Sequence, residues 1–134
     1  MSRDDMRRYF LIFIAVCIAP IALSYGMNPN VSLPWLLGID ASDPNLRNIF
    51  RAVMGLYLAF VALWIAGALR SDVRLPALYS LFAFVTGIAL GRILSVVVDG
   101  WPHPLLLFYL VSEIGLALIS GWLIFGPQTK STPS

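Results

Sequence analysis

Residues 82–102, FAFVTGIALGRILSVVVDGWP, form an apolar run long enough to cross a lipid bilayer, and the run contains Arg92. An arginine inside a membrane span costs about 2.5 to 3.5 kcal/mol on insertion scales unless other groups accept its hydrogen bonds. Arg92 precedes Asp99 by seven residues, which is about 10 Å along an α-helix. The fold must therefore let Arg92 reach the membrane surface, Asp99 or an acidic side chain of another helix.

The composition excludes an ordinary soluble domain, because 59% of the 134 residues are hydrophobic and only 12% are charged. We predict an all-α fold, an integral membrane four-helix bundle with up-down-up-down topology. Residues 1–134 are expected to form a single transmembrane domain with a disordered tail at 127–134. The predicted spans cover about residues 9–25, 49–69, 76–98 and 104–125.

Local signals predict where these helices begin. Asp43 followed by Pro44 indicates the capped start of the second long helix, and Pro104 opens the fourth. Pro76 is expected in the first turn of the third helix, where its missing N–H is not needed. Because the links between them are short, the second, third and fourth long helices are expected to be antiparallel neighbours.

Residues 26–42 form the longest connection, and their proline, asparagine and glycine residues predict irregular backbone. The apolar segment 31–39 within it contains Trp35. We expect this segment to lie in the membrane interface, with folding over the bundle as a lid as the alternative.

The first apolar run allows two interpretations. An arginine-rich start followed by apolar residues 9–25 is typical of a retained span and also of a signal peptide, here cleaved near Ser24. The run is long for a signal peptide, and the other spans need a partner to form an even-numbered bundle. We therefore expect a retained helix, and cleavage is the open alternative.

Most arginine and lysine residues lie near the ends of the predicted spans. Loops rich in these residues stay on the cytoplasmic side of a membrane. One side carries Arg3, Arg7, Arg8, Arg70, Arg74 and Lys130, whereas the loops of the other side carry only Arg47. The pattern predicts that both termini lie in the cytoplasm, and it explains the basic composition without a nucleic-acid partner.

Glu113 is a second charged residue inside a span. It follows Pro104 by nine residues, about 13 Å along the helix, which is close to the depth of Arg92 on the antiparallel neighbour. We therefore predict a contact between Arg92 and Glu113, which Arg51 of the second long helix is expected to join. The predicted polar cluster, a ligand-binding or structural site, comprises Arg51, Arg92, Ser95, Asp99 and Glu113.

A ligand pocket and a structural ion-pair network differ in one observable respect. A pocket leaves open volume beside the charges, whereas a structural network is closed and fully hydrogen-bonded. The sequence is compatible with both.

Small residues recur at every fourth position of the third span. The stripe formed by Ala83, Gly87, Gly91 and Ser95 lets another helix backbone approach closely. We therefore expect this face of the helix to pack against a neighbour.

The sequence contains no catalytic or metal-binding pattern. Metal sites and activated nucleophiles need several converging His, Cys or carboxylate groups. The chain has one histidine, His103, and one cysteine, Cys17. We expect His103 to cap a helix or to be solvated, and Cys17 to act as a small buried or lipid-facing hydrophobic residue. No cofactor and no metal are predicted.

Three segments and one residue carry a resemblance to a known family. The segments FRAVMGLY at 50–57, GRILS at 91–95 and DGWP at 99–102, followed by Glu113, resemble a bacterial membrane protein family named domain of unknown function 4345. The resemblance extends from Tyr9 to Phe125 and implies a four-helix integral membrane protein without implying an activity. The general form is also similar to DoxX-like proteins, some of which are linked to quinone-dependent redox complexes.

Two functions from different classes are compatible with the sequence. The first is a non-enzymatic accessory or binding protein whose polar cluster holds an amphipathic ligand, such as a lipid or quinone, or stabilises a membrane partner or a second copy of the chain. The alternative is a small membrane enzyme or transporter subunit that uses Arg92 and Glu113 directly. A cavity from the outer surface to Glu113 favours the alternative, and dense packing around a closed pair disfavours it.

Overall fold

The structure is a computed structural model that describes residues 1–128, which fold into helices without strands. Residues 129–134, which include Lys130 and most of the predicted disordered tail, lie outside the described residues. The all-α prediction is confirmed. The helices are α1 (Arg3–Gly26), α2 (Pro29–Leu37), α3 (Pro44–Leu69), α4 (Ser71–Asp99) and α5 (Pro104–Phe125).

Within the described residues, α1, α3, α4 and α5 are long and apolar enough to cross a membrane. The shortest of them, α5, has 22 residues, a length of about 33 Å against a hydrocarbon core of about 30 Å. Large apolar side chains on the outer faces of these helices are exposed, among them Phe13, Val97 and Leu118. Soluble monomers rarely expose so much apolar surface, and the chain is a multi-pass membrane protein.

The long helices alternate in direction and form a bundle that is unevenly packed. α1 packs most extensively on α3, and α4 packs on both α3 and α5. α1 and α5, the two helices that would close the bundle, make few contacts with each other. Arg3 and Arg7 at the start of α1 bond to the end of α5. Away from these contacts, a gap separates α1 from α5.

Two predicted helix starts are confirmed. The Asp43 side chain accepts a hydrogen bond from the Asn45 N–H, and Pro44 occupies the first turn of α3. The Nδ1 atom of His103 accepts a hydrogen bond from the Leu105 N–H at the start of α5. Each of these side chains satisfies an N–H group that has no partner inside its own helix.

The predicted start of the third long helix at Pro76 is wrong, because α4 begins at Ser71 and Pro76 is an interior residue. Only Arg70 separates α3 from α4. The early start is explained by Arg74, whose guanidinium donates hydrogen bonds to carbonyls at the end of α3. These contacts hold the first residues of α4 in place and outweigh the one backbone hydrogen bond that Pro76 removes.

The irregular backbone predicted for residues 26–42 is wrong in its middle, where Pro29–Leu37 form α2. Gly38, with a φ of 67°, ends this helix in the left-handed conformation that glycine adopts most readily. Leu33 is fully buried, while Trp35 is 83% exposed. Because α2 contacts α1 and α3, it covers the end of that helix pair, and its placement in the membrane interface stays a prediction.

Arginine side chains bind helix C-termini at one end of the bundle, where Arg3, Arg7 and Arg74 meet; we call it the basic end. Arg3 and Arg7 donate hydrogen bonds to carbonyls in the last turn of α5. Arg74 donates to the Gly67 and Ala68 carbonyls of α3, at 3.0 Å each. The Leu123, Gly67 and Ala68 carbonyls have no partner within their own helices, and the cations face the negative ends of the helix dipoles.

The packing is densest near the basic end. The buried residues of α4 end at Ala89, and those of α5 are Ser120 and Leu123. Residues 90–99 and 104–119 contain no buried residue. The hairpin of α4 and α5 therefore separates from the pair of α1 and α3 as it extends away from the basic end.

Close helix contacts occur at Gly26 and Gly67 and not at the predicted stripe on α4. A Cβ atom at Gly67 would lie 2.4 Å from the Ala77 Cβ, and one at Gly26 would lie 2.6 Å from a methionine side chain of α3. A Cβ atom at Gly87 or Gly91 would meet no described atom within 4 Å. The predicted close approach to the α4 stripe is therefore wrong within this chain, because both glycines lie on exposed parts of α4.

We expect Arg74→Gln to lower the free energy of unfolding by about 2 to 4 kcal/mol, because the change removes hydrogen bonds to two helix-end carbonyls and to Asp4. The matched control is Arg70→Gln, since the Arg70 side chain is 68% exposed and its pair with Asp72 contributes little. Reversible unfolding in detergent micelles, followed by circular dichroism, measures both. Equal losses in the two variants would contradict the anchoring role of Arg74.

Candidate ligand-binding site

A cavity of about 400 Å³ lies between α1, α3, α4 and α5; we call it the main cavity. Its volume is within the range of small-molecule pockets. Most of its wall is apolar or aromatic, and residues of this kind include Phe13, Ile14, Ile18, Phe84, Ile88 and Phe108. Its polar groups belong to Tyr25, Tyr57, Arg92, Tyr109, Ser112 and Glu113.

The main cavity opens through the gap between α1 and α5. On these two helices its exposed lining residues are Phe13, Cys17, Phe108 and Ile119. Because both helices are of membrane-spanning length, the opening faces the region that lipid chains occupy. Cys17 lies at this opening and is exposed, which agrees with the lipid-facing position predicted for it.

The predicted contact between Arg92 and Glu113 is confirmed. The Nε atom of Arg92 donates hydrogen bonds to both carboxylate oxygens of Glu113, at 3.1 Å from Oε1 and 2.9 Å from Oε2. The two side chains are 20% and 13% exposed, so both charges are largely shielded. Removing either partner would leave the other charge shielded and unpaired, which is costly in an apolar environment.

The ion pair uses only part of the Arg92 guanidinium. Nη1 and Nη2 make no well-formed hydrogen bond with residues 1–128. The Tyr25 hydroxyl lies beside the guanidinium, and the Tyr109 ring lies under it, with 5.7 Å between Cζ and the ring centroid. A guanidinium has five N–H donors, so most of those on Arg92 are free to meet an acceptor in the cavity.

Two buried tyrosines form the wall opposite α5. Tyr25 and Tyr57 are 6% and 9% exposed, and their rings pack edge to face with centroids 5.8 Å apart. Tyr57 also packs against Phe84 at 4.9 Å. Tyr57 lines the main cavity, and within residues 1–128 its hydroxyl makes no hydrogen bond. This hydroxyl is therefore available as a donor to a ligand oxygen in the main cavity.

A second cavity of about 300 Å³ touches Arg92 near the end of α4 and the start of α5. Its wall includes Ser95, Pro102 and Leu106. Ile88 and Arg92 line both cavities. The ion pair therefore stands between the main cavity and the end of the bundle that lies opposite the basic end.

The other members of the predicted polar cluster lie apart from the ion pair. The predicted contact of Arg51 with the pair is not formed, because Arg51 Nη1 donates to a backbone carbonyl at the end of α1, at 2.9 Å. Asp99 accepts a hydrogen bond from the Ser95 hydroxyl at 2.8 Å, and both residues are exposed. Of the predicted cluster, Arg92 and Glu113 line the main cavity, and Ser95 with Arg92 lines the second one.

The tyrosines of the cavity wall are site residues that the sequence alone does not identify. From the sequence alone, Tyr57 is interpreted as a packing or lipid-contacting residue, because aromatic residues are common throughout a span. One signal was available: Tyr109 precedes Glu113 by four residues, which places both on the same face of α5. Tyr25 offers no comparable signal, since its approach to Arg92 depends on how α1 packs.

We expect Arg92→Ala to destabilise the bundle by about 3 kcal/mol, because it leaves the Glu113 carboxylate shielded and unpaired. The double variant Arg92→Ala with Glu113→Ala is expected to lose less than this single variant, since no unpaired charge remains. Unfolding free energies of all four forms, measured in one detergent, give the coupling.

Asp99→Ala provides the control for that cycle. Asp99 bonds to Ser95 and not to Arg92, so the effects of Asp99→Ala and Arg92→Ala should add. Additive effects for Arg92 and Glu113, in contrast, would show that the two side chains do not interact.

Comparisons with known proteins identify the family. A family model described as domain of unknown function DUF4345 matches residues 6–124, which include all four helices around the main cavity. No match is found among curated proteins or among solved structures. The fold-level similarity to DoxX-like proteins has no support in these matches and stays a prediction. Since the match spans most of its length, this membrane chain belongs to the DUF4345 family.

Proposed function

We propose that this protein binds an amphipathic ligand, such as a membrane lipid or a quinone, in the main cavity. The observation that carries the proposal is an open volume of about 400 Å³ directly beside a largely shielded ion pair. A structural ion-pair network is closed and fully hydrogen-bonded, whereas Arg92 keeps unused donors on the cavity side. This geometry supports a binding site over a pair that only fixes helix register.

The wall of the main cavity matches the two halves of an amphipathic molecule. Apolar and aromatic side chains offer a surface for a hydrocarbon chain or ring, and the polar groups around Arg92 offer contacts for a head group. The opening between α1 and α5 faces the lipid region. A ligand that is dissolved in the bilayer therefore enters sideways, without crossing the head-group layer.

The second candidate is a transporter or enzyme subunit that uses the ion pair directly. It is supported by the position of Arg92, which lines both cavities. Separation of Arg92 from Glu113 would join the two volumes into one path. The metal-dependent form of this candidate has less support, because the described residues contain no group of His, Cys, Asp and Glu that could hold a metal ion.

Native mass spectrometry of the full chain, released from a mild detergent, tests the binding proposal. We expect an adduct of a few hundred daltons on the natural protein. Gly115→Leu should abolish it, because Gly115 lines the main cavity and a Cβ there meets no described atom within 4 Å. The added side chain therefore fills the volume without disturbing the packing.

The matched control is Gly55→Leu on α3. Gly55 is exposed, lies outside the main cavity and also has open space at its Cβ, so the adduct should persist. An adduct of equal abundance in both variants would place the ligand elsewhere. A bare natural protein, or one that retains a second protein or a second copy of itself, would contradict the binding proposal and favour an accessory role beside a membrane partner.

The proposed location is a bacterial inner membrane, with the basic end and both termini on the cytoplasmic side. Arg3, Arg7 and Arg74 meet at that end, whereas α2 and Arg47 lie at the other. In bacterial host cells, green fluorescent protein fused after Ser134 should fluoresce, and alkaline phosphatase fused at the same position should be inactive. Fusions after Gly100 should give the reverse result. Active phosphatase after Ser134 would contradict this orientation.

A further inference from the structure

We infer that the polar end of the ligand is an uncharged group with an acceptor oxygen, such as the carbonyl of an ester, a ketone or a quinone, and not a carboxylate or phosphate. The inference rests on the proposed function and adds the chemical class of the head group. It follows from the donors that the main cavity offers and from the net charge of its polar wall.

The main cavity offers hydrogen-bond donors that the protein leaves unused. Arg92 bonds to Glu113 through Nε alone, which leaves its Nη1 and Nη2 donors without a well-formed partner in residues 1–128. The Tyr57 hydroxyl makes no hydrogen bond within these residues, and the Tyr57 side chain lines the same cavity. The head group that fits these donors carries an acceptor oxygen.

The charge of the site favours a neutral head group. Arg92 contributes one positive charge and Glu113 one negative charge, and they are already paired at 2.9 Å. Among residues 1–128, no other lysine, arginine or acidic side chain lines the main cavity. An anionic head group would therefore add an uncompensated charge among apolar side chains, which is strongly unfavourable. A neutral carbonyl satisfies the N–H donors without changing the net charge.

An anionic head group could bind in the main cavity if its charge were compensated, and such binding would depend on pH. If Glu113 took up a proton, Arg92 would be free to compensate the anion. Binding would then be coupled to proton uptake and would strengthen as the pH falls. The other polar groups that face the pair include the hydroxyls of Tyr25, Tyr57 and Tyr109. A tyrosine side chain never carries a positive charge, so these groups offer no alternative compensation.

Two probes with the same tail separate these possibilities. Methyl dodecanoate has a neutral ester carbonyl, and dodecanoate has a carboxylate. We expect the ester to raise the thermal unfolding midpoint of the natural protein in a fixed excess of detergent at pH 8, and dodecanoate to leave it unchanged. The ester response should be the same at pH 6 and pH 8.

A variant pair tests the donors themselves. Tyr57→Phe removes one hydroxyl and keeps the ring that packs on Tyr25 and Phe84. We expect it to need about three- to tenfold more ester for the half-maximal shift, the usual effect of losing one hydrogen bond. Tyr79→Phe, on a half-exposed tyrosine outside the main cavity, is the matched control and should respond as the natural protein does.

The outcomes distinguish failure of this inference from failure of the proposed function. Stronger binding of dodecanoate than of the ester at pH 8 would overturn the neutral head group and leave the binding proposal standing. An equal ester response in Tyr57→Phe and Tyr79→Phe would overturn the role of the Tyr57 donor. If neither probe acts and native mass spectrometry shows no adduct, the proposed function fails as well.

Discussion

Carbonyls at helix ends accept hydrogen bonds from four of the eight arginine side chains of this small membrane protein. Arg3 and Arg7 bond to the last turn of α5, Arg74 to the end of α3 and Arg51 to the end of α1. The last carbonyls of a helix have no partner of their own, so each contact satisfies two groups. The resulting contacts tie three helix ends to neighbouring helices and fix which helices meet.

Arg92 differs from these four arginines, and the candidate site follows from the difference. It lies well before the end of α4 and bonds to the side chain of Glu113, which engages only its Nε atom. The bundle is densely packed near the basic end and wider around Arg92, where residues 90–99 and 104–119 contain no buried residue. A shielded, partly unused cation thus borders an open volume, and this combination distinguishes a binding site from a structural pair.

Much of the architecture could be predicted because it depends on local chemistry. The presence of four long apolar helices, the caps at Asp43 and His103 and the contact of Arg92 with Glu113 all follow from residue spacing along antiparallel helices. The wrong predictions concern positions whose structure depends on contacts between helices. Pro76 lies inside α4 because Arg74 holds the preceding residues. Arg51 bonds to α1 because the two helices come close enough for a Cβ at Gly26 to clash. The main cavity is a gap between helices distant in sequence, which spacing along one chain does not reveal.

A crystal structure grown in a lipid mesophase, from protein purified with its native lipids, would show directly whether the main cavity holds a ligand. We expect ordered density in the main cavity, with an acceptor atom within about 3 Å of Nη1 or Nη2 of Arg92. We also expect the bond between Arg92 Nε and Glu113 to persist. An empty or collapsed cavity, with both Nη atoms bonded to the protein itself, would rule out the binding site and leave Arg92 and Glu113 as a purely structural pair.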